Sequence, residues 1–510
     1  MKSLQPKKLK ARTYRAVFRY ALFALAILAG GAGILMRSVE VLSRNFVFLY
    51  DQGLDMLSVR NILVNHKLTL IGVEAGGGFA GLTGIFHGPG YRYLLALFTL
   101  FSRGDPYGPM VALWVSQIVV LWLFYVLGKR LFGTWGGLAA VYVAAVSPTF
   151  IGFSRVIWEP NFAGLFIMLY LFVLFCTDQR RMWPAFFLGV IASGLYNFEI
   201  PIAVPAVIAA FLFLVLVRRV PIRSVLFFIA GCVIGVFPMI VFNARHGWMT
   251  FRGLTLFAGL PAASAVVTLY RLYTHVREVF YSISGMFPVI IGLPLWVWPG
   301  VFTGSLVWLW RKEKDKLQRV ALFGILCIIF AHLVVYVFYR NLVFGFYFTL
   351  LAYAVVLLSA QAIARLMKTK REWIVILFLL VTAFPAMYNT YRSFPVDMKD
   401  TGGMVKIKGK EEAIDFIYKE AGGKPFNLFI FSPPIYTYPY DYLLSWYAKK
   451  KYGYVPGTEK KGTAFLLIET DFRRPWRSNG WLETVIKTGT IIHTWTLPTG
   501  FIIQERIFPS

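Results

Sequence analysis

Acidic residues are scarce in this chain. Its 510 residues hold 24 Asp and Glu against 52 Lys and Arg, and charged residues of both signs make up only 15%. So little charge, with 58% hydrophobic residues and a mean hydropathy of +0.64, excludes an ordinary soluble globular protein and points to a chain that crosses a membrane many times. Cysteine is nearly absent. Cys176, Cys232 and Cys327 all lie in apolar runs, which excludes a disulfide framework or a cysteine metal cluster and says nothing about redox compartment. The six histidines never fall into a His-x-x-x-His or similar spacing, so a structural zinc is not expected. The glycine-rich "EAGGGFAGLTG" (74–84) lacks a Walker lysine and reads as a loop able to close over a substrate, or as plain loop. No internal repeat, low-complexity segment or Asn-x-Ser/Thr sequon occurs. A net charge of +28 would suggest nucleic acid in a soluble protein. Here no basic-plus-aromatic reading module accompanies it, and the Lys and Arg cluster in short loops between apolar runs. They read as topology signals and contacts for anionic headgroups.

What is present is a series of long apolar runs. Eleven of them are long enough to cross or nearly cross a bilayer: 16–36, 107–128, 134–153, 160–177, 183–199, 201–217, 224–243, 288–310, 320–339, 342–363 and 373–390. The first follows a basic stretch, is of spanning length and shows no cleavage motif, so it is expected to be a retained helix. Basic loops alternate with the runs: the N-terminal arm, "GKRLFGT", "TDQRRM", "VRRVPIRS", "RKEKDKLQR" and "ARLMKTKRE". The positive-inside rule then puts the N-terminus in the cytoplasm and everything after about 391 outside, with a prokaryotic plasma membrane as the expected compartment. A further apolar segment, "FHGPGYRYLLALFTLFS" (86–102), is short, carries Arg92 and would invert every later loop if it spanned; it is expected to be interfacial or re-entrant. The expected division is thus a transmembrane domain over 1–390, with a long first outer loop at 37–106, and a soluble extracytoplasmic α/β domain over 391–510. In the latter, "FNLFIFSP" and "TAFLLIETD" read as strands and "YDYLLSWYAKKKYG" and "NGWLETVIKTG" as helices. "TIIHTWTLPTGFIIQERIF" reads as a hairpin turning at Pro498-Thr499-Gly500.

The first outer loop opens with "NFVFLYDQGLDMLSVRNIL" (45–63). On a helix, Asp51 and Asp55 share one face. A solvated first turn favoured by the helix dipole would explain them; so would a catalytic pair at the outer boundary. The series "YDQGLDMLSVRNILVNHKLTLIG", "HGPGYRYLLAL", "LGKRLFGTWGGLAAVYVAAVSPTFIGFSRVIWEPN" and "FPMIVFNARHGWMTFRGL" resembles, in this order over about the first 250 residues, the GT-C membrane glycosyltransferases. The likeness is to the protein O-mannosyltransferase-like and aminoarabinose-transferase-like families, with a layout also similar to oligosaccharyltransferase catalytic subunits. The resemblance implies a GT-C-like fold and inverting transfer of a hexose or pentose from a polyprenyl-phosphate donor to a protein, lipid or glycan acceptor at the outer face.

By position Asp51 matches the catalytic carboxylate, with Asp55 secondary; Gln52 departs from the usual Asp-Glu pair. The lipid phosphate needs cations, and Arg155, Arg92, Arg245 and Arg340 are the candidates, Arg155 first because "SRVIWEPN" matches the family loop. Membrane-boundary anchoring is the plainer role for each. Glu159, Asn161, His87, His246 and Glu199 are candidates for sugar or acceptor contacts, Glu199 because it divides two apolar runs. No cofactor and no metal ligand set is assigned; a divalent cation is the one candidate helper, with Glu159 and Asn161 as its candidate contacts. Two rival readings are a transporter or flippase of a lipid-linked saccharide, which would favour repeated halves and midplane breaks, and a structural subunit of an envelope complex.

Overall fold

The computed structural model describes residues 6–78, 82–259, 265–288, 294, 296–339, 343–369, 371–433, 436–471 and 473–509. It is an α-helical membrane protein with a small α/β domain at its C-terminal end. Helix α1 (Pro6–Arg37) is followed by α2 (Val39–Ser43), α3 (Tyr50–Leu63) and α4 (Gly90–Phe101). Then come α5 (Tyr107–Phe132), α6 (Thr134–Val146), α7 (Pro148–Phe153), α8 (Glu159–Cys176), α9 (Met182–Gly194) and α10 (Ile200–Leu212). The series continues through α11 (Ile222–Gly235), α12 (Phe237–Arg245), α13 (Met249–Gly259), α14 (Ala265–Gly285), α15 (Val297–Lys312), α16 (Lys316–Phe338), α17 (Thr349–Leu366) and α18 (Glu372–Lys399).

Each of the eleven apolar runs contains one or more of these helices. Among the described residues six helices are long and apolar enough to cross a membrane, or seven if α11 and α12, bent by 61°, form one span. Runs 183–199 and 201–217 are separate helices because a short 3-10 turn at Leu195–Asn197 ends the first and Glu199 starts the second, with Pro201 in its first turn. At 12 residues α4 is too short to cross, as expected; it buries Tyr91, Leu95, Ala96 and Thr99 and leaves Leu97, Leu100 and Phe101 exposed.

Arg37 fixes the first helix. It is 1% exposed and donates to the Ala144 and Ala145 carbonyls (2.6 Å each) and to the Gly33 carbonyl (2.9 Å). The Ala144 and Ala145 carbonyls lie at the C-terminal end of α6 and have no helical partner of their own.

The last span, α18, runs on to Lys399, so the C-terminal domain starts just beyond it. That domain holds α19 (Ile407–Glu420), α20 (Tyr438–Leu443), α21 (Lys449–Tyr452), α22 (Trp476–Trp481) and strands β1 (Asn427–Phe431), β2 (Gly462–Ile468), β3 (Thr490–Thr496) and β4 (Ile502–Phe508). The sheet order is β1-β2-β4-β3, with β1 and β2 parallel and the other pairs antiparallel. The β3–β4 hairpin turns where the sequence predicts, with Gly500 at φ +90°. A buried polar group locks the ends of α19, β1, β2 and α20 together. Lys410 reaches Glu469 (2.5 Å) and Tyr440 (3.2 Å), Tyr440 also donates to Glu469 (2.5 Å), and Ser432 donates to its other oxygen (2.7 Å).

The two parts are joined through the entry to α3. Phe48 N–H donates to Val405 (3.0 Å) and Ile407 N–H to Phe46 (3.0 Å), so the strands leading into α3 and α19 form a short ladder. Helix α20 then lies directly on α3. A Cβ at Gly53 would come within 2.3 Å of the Pro439 nitrogen, so only glycine allows this approach.

Candidate functional site

Helix α3 begins just after the ladder and carries Asp51 in its first turn and Asp55 one turn on. Gln52 sets its pitch. Its side-chain oxygen accepts from Leu49 N–H (3.0 Å) and its amide nitrogen donates to the Ile157 carbonyl (2.9 Å) in the turn before α8. A carboxylate could accept the first bond but could not donate the second. The departure from an Asp-Glu pair therefore has a structural cause: position 52 is a tie between two loops.

Opposite α3 stands the "HGPGYRY" segment. A short ladder between 72–75 and 85–87 holds His87: Gly72 donates to His87, His87 to Val73 and Ala75 to Ile85 (2.7, 2.8 and 2.7 Å). The Glu74 carboxylate accepts from Gly84 N–H (2.6 Å) and closes the base of the 75–84 loop. Gly88 abuts Asn197, whose side-chain oxygen would lie 2.3 Å from a Cβ there, and Gly90 N–H donates to that same oxygen (3.0 Å). This places the start of α4, with Tyr91 and Arg92, beside the turn that carries Glu199. Glu159 opens α8 and Glu199 precedes α10, so both carboxylates sit at helix N-termini, where the dipole favours them.

These pieces form one polar cluster. Asp55 lies within electrostatic reach of Glu159, Arg92 and Asp51, with the Tyr91 phenol alongside; Glu199 feels Glu159, and the His87 ring lies 3.5 Å from Glu199. Asp55 is 1% exposed; the Tyr91 hydroxyl faces its carboxyl, and no other hydrogen-bond partner of its oxygens stands among the described residues. His87 Nδ1 and Arg92 Nε are buried with no hydrogen-bond partner among the described residues. Several such groups in one place are rare in a folded protein and mark a site that a ligand or water completes. Burial, then the Glu159 charge, pushes the Asp55 carboxyl well above the ordinary carboxylate range, with Arg92 pulling the other way. Asp51 is exposed to solvent on one side but flanked closely enough that lost hydration raises its pKa as well. Burial and Arg92 lower His87 to about 4, so its ring is neutral near pH 7.

The expected residues divide into those brought together and those kept apart. Asp51, Asp55, Arg92, Glu159, His87 and Glu199 converge. Tyr91 joins them and was not singled out from the sequence; its place next to Arg92 and four residues after His87 was the available signal. Asn161 is buried; its side-chain amide donates to the Val156 carbonyl (2.8 Å) and its backbone carbonyl accepts from Gln117 (2.7 Å). Arg155, the first candidate for the lipid phosphate, is already neutralised: Nε donates to both Glu40 oxygens (2.8 and 3.0 Å) and Nη2 to Asp397 (2.7 Å). It ties α2, the turn after α7 and the end of α18 together, which is a structural task. Arg245 and His246 are exposed at the end of α12. The His246 ring stacks on Phe242 (4.2 Å), which packs edge-on against Phe86 (5.6 Å), so this end of α12 borders the loop before His87. Arg340 lies outside the described residues. Among the described residues no three His, Cys, Asp or Glu side chains stand close enough to hold a metal ion.

Residues 86–243 match the family model for dolichyl-phosphate-mannose-protein mannosyltransferase. No curated protein matches the chain. Among solved structures, ArnT from Cupriavidus metallidurans bound to undecaprenyl phosphate superposes with a TM-score of 0.55 at 12% identity, covering 96% of this chain and 98% of that one. The same protein in the apo state gives 0.54 at 12% identity with the same coverage. The Archaeoglobus fulgidus oligosaccharyltransferase in complex with Zn and sulfate gives 0.47 at 11% identity, covering 94% and 73%.

Proposed function

Taking the chain as a GT-C membrane glycosyltransferase by its fold and its matched segment, we propose that it transfers a hexose or pentose from a polyprenyl-phosphate donor to an acceptor at the outer face of the membrane. The observation that carries this reading is the cluster around Asp51 and Asp55, where four carboxylates and one arginine meet with several polar atoms left unpartnered. The undecaprenyl phosphate bound by the Cupriavidus protein of the same fold supports the donor class. The alternation of basic loops supports a cytoplasmic N-terminus, an extracytoplasmic C-terminal domain and a prokaryotic plasma membrane.

The transfer inverts the anomeric centre. An acceptor hydroxyl or amine attacks the anomeric carbon, the bond from that carbon to the phosphate oxygen breaks, and the polyprenyl phosphate leaves with the electron pair. Asp51 takes the acceptor's proton. It is the carboxylate of the α3 pair that solvent and substrate can reach, and its raised pKa makes it a stronger base than an ordinary aspartate. Asp55 is sealed from solvent, where burial raises its pKa, and it shapes the floor of the site. Arg92 is the cation for the lipid phosphate, since Arg155 is engaged elsewhere and Arg92 Nε is free. A transporter would gather its polar groups at breaks near the midplane; here they gather at the starting ends of α8 and α10.

The test is transfer of radiolabelled sugar from a polyprenyl-phosphate sugar by the purified protein in nanodiscs. Asp51→Asn keeps the side-chain shape and removes the base, so turnover falls by about 10²–10⁴-fold while the melting temperature stays near wild type. Near-normal turnover in that variant removes Asp51 from the mechanism.

A further inference from the structure

A hollow of about 610 Å³ opens between α1, α5, α6, α17 and α18, and no residue of the polar cluster lines it. That volume falls within the roughly 300–1,000 Å³ of sites that take small molecules. Small residues make room for it: Ala26, Gly30 and Gly31 of α1, and Ala139 and Ala145 of α6. A Cβ at Gly31 would meet no atom within 4 Å. The remaining walls are apolar, with Trp122 and Trp135 among them. The Tyr142 hydroxyl on the same wall is already bonded to Thr382 (2.8 Å). Glu372, at the start of α18, is the one charged residue of the lining. Walls of this kind favour hydrocarbon over water.

Length and charge identify the occupant. Along α1 the hollow runs from Leu22 to Ile34, about 18 Å at 1.5 Å per residue. That is close to half of the ~30 Å hydrocarbon core, the depth of one leaflet. It suits a single acyl chain and is too short for a stretched polyprenyl tail. One end of the hollow is basic. Met367 and Glu372 line it and bracket the α17–α18 turn, where "ARLMKTKRE" holds four cations and one carboxylate. Arg365 is spent on the Lys312 carbonyl (3.1 Å), while Lys368 and Arg371 are exposed beside the lining residues. Lys129 and Arg130, in the last turn of α5, precede Trp135 of the lining. Basic residues at the mouth of an apolar groove between spans match an anionic headgroup.

We propose that the hollow binds one anionic phospholipid from the leaflet at the α17–α18 turn, the cytoplasmic leaflet in the orientation given above. An acyl chain lies between α1 and α6, and the headgroup phosphate meets Lys368 and Arg371. Arg37 fixes one end of α1, and the lipid fills the face nearer its other end.

The full chain is stripped of lipid in detergent and titrated with phosphatidylglycerol, with phosphatidylcholine of the same chains and with a polyprenyl phosphate; native mass spectrometry counts the bound molecules. One phosphatidylglycerol binds ahead of the rest. Gly31→Phe fills the hollow and removes that molecule, while polyprenyl phosphate binds as before. Lys368→Gln together with Arg371→Gln weakens phosphatidylglycerol about 30-fold, at about fivefold per cation near a membrane surface, and leaves phosphatidylcholine unchanged. Gly31→Leu stands in for the phenylalanine where that variant does not fold, and gives the same loss. The proposal is overturned if wild type binds both phospholipids equally, if the filled variant keeps its phosphatidylglycerol, or if the paired charge change has no effect. It is equally overturned if filling removes polyprenyl phosphate instead. Should filling turn a dimer into a monomer without loss of lipid, the occupant is a second copy of the chain and the proposal fails.

Discussion

Replacing Gln52 with glutamate tests whether the amide at this position is a tie or an accident. Gln52 is 5% exposed and spends both ends of its amide, accepting from Leu49 at 3.0 Å and donating to the Ile157 carbonyl at 2.9 Å. In Gln52→Glu the oxygen facing Leu49 N–H is kept. The other oxygen now points a lone pair at a carbonyl oxygen at hydrogen-bonding distance. An unpaired buried carbonyl alone costs about 1–3 kcal/mol, and a buried charge with no compensating partner raises this toward about 3–5 kcal/mol. The introduced carboxyl escapes by keeping its proton, which restores the donor. Its folded pKa is therefore raised above the unfolded value. The variant approaches wild-type stability at pH below the ordinary carboxylate range and loses stability as pH rises from there to the raised value. Turnover at pH 8 drops as well, because the start of α3 shifts and a displacement of about 1 Å at a catalytic group costs on the order of 10²-fold. Thermal unfolding in detergent at pH 5 and pH 8, with the transfer rate at pH 8, measures both effects. Equal stability and turnover to wild type at pH 8 would refute the argument.

Two further outcomes follow from the same region. Gly53→Ala sets a methyl group 2.3 Å from the Pro439 nitrogen, so α20 must lift from α3; a loss of about 1–3 kcal/mol and faster proteolysis between 400 and 406 are expected, and wild-type unfolding would show the contact to be slack. Asp55 has a folded pKa raised by burial, so it favours the folded state most at pH below the ordinary carboxylate value near 3.9 and progressively less as pH rises toward the raised value, with a slope of at most about 1.4 kcal/mol per pH unit. Asp55→Asn removes that slope, and unfolding curves taken across pH 4–8 that keep it would place the titration elsewhere.

The helices were legible because apolar length and basic punctuation are local signals, and so was the terminal domain, where strand and helix patterns alternate. The pairing of Asp51 with Asp55 was legible from spacing on α3, Glu199 from dividing two apolar runs, Arg92 as a cation of the outer loop, and His87 from the segment that carries the family resemblance. What the sequence could not disclose was partnership across long separations. Arg155 stands 115 and 242 positions from the two carboxylates that neutralise it, and no local pattern distinguishes an arginine so engaged from one free to meet a phosphate. The seat of α20 on α3 was equally hidden. It depends on the absence of a side chain at Gly53, and an isolated glycine in a helix reads only as a weak point.

The buried Arg37 has a consequence for how the chain is made. The carbonyls that receive its guanidinium belong to a helix synthesised about 100 residues later, the separation from Ala145 being 108. The other face of α1 waits longer still: Thr390 of α18 donates to Ala32 across 358 residues. A ribosome therefore releases the first helix with a charge near its end and no protein group to receive it, in surroundings where an unsolvated cation is costly. Until α6 arrives, that end must stay in contact with water or headgroups. Helix α1 is thus settled late, and its final depth is decided by segments that do not yet exist when it inserts.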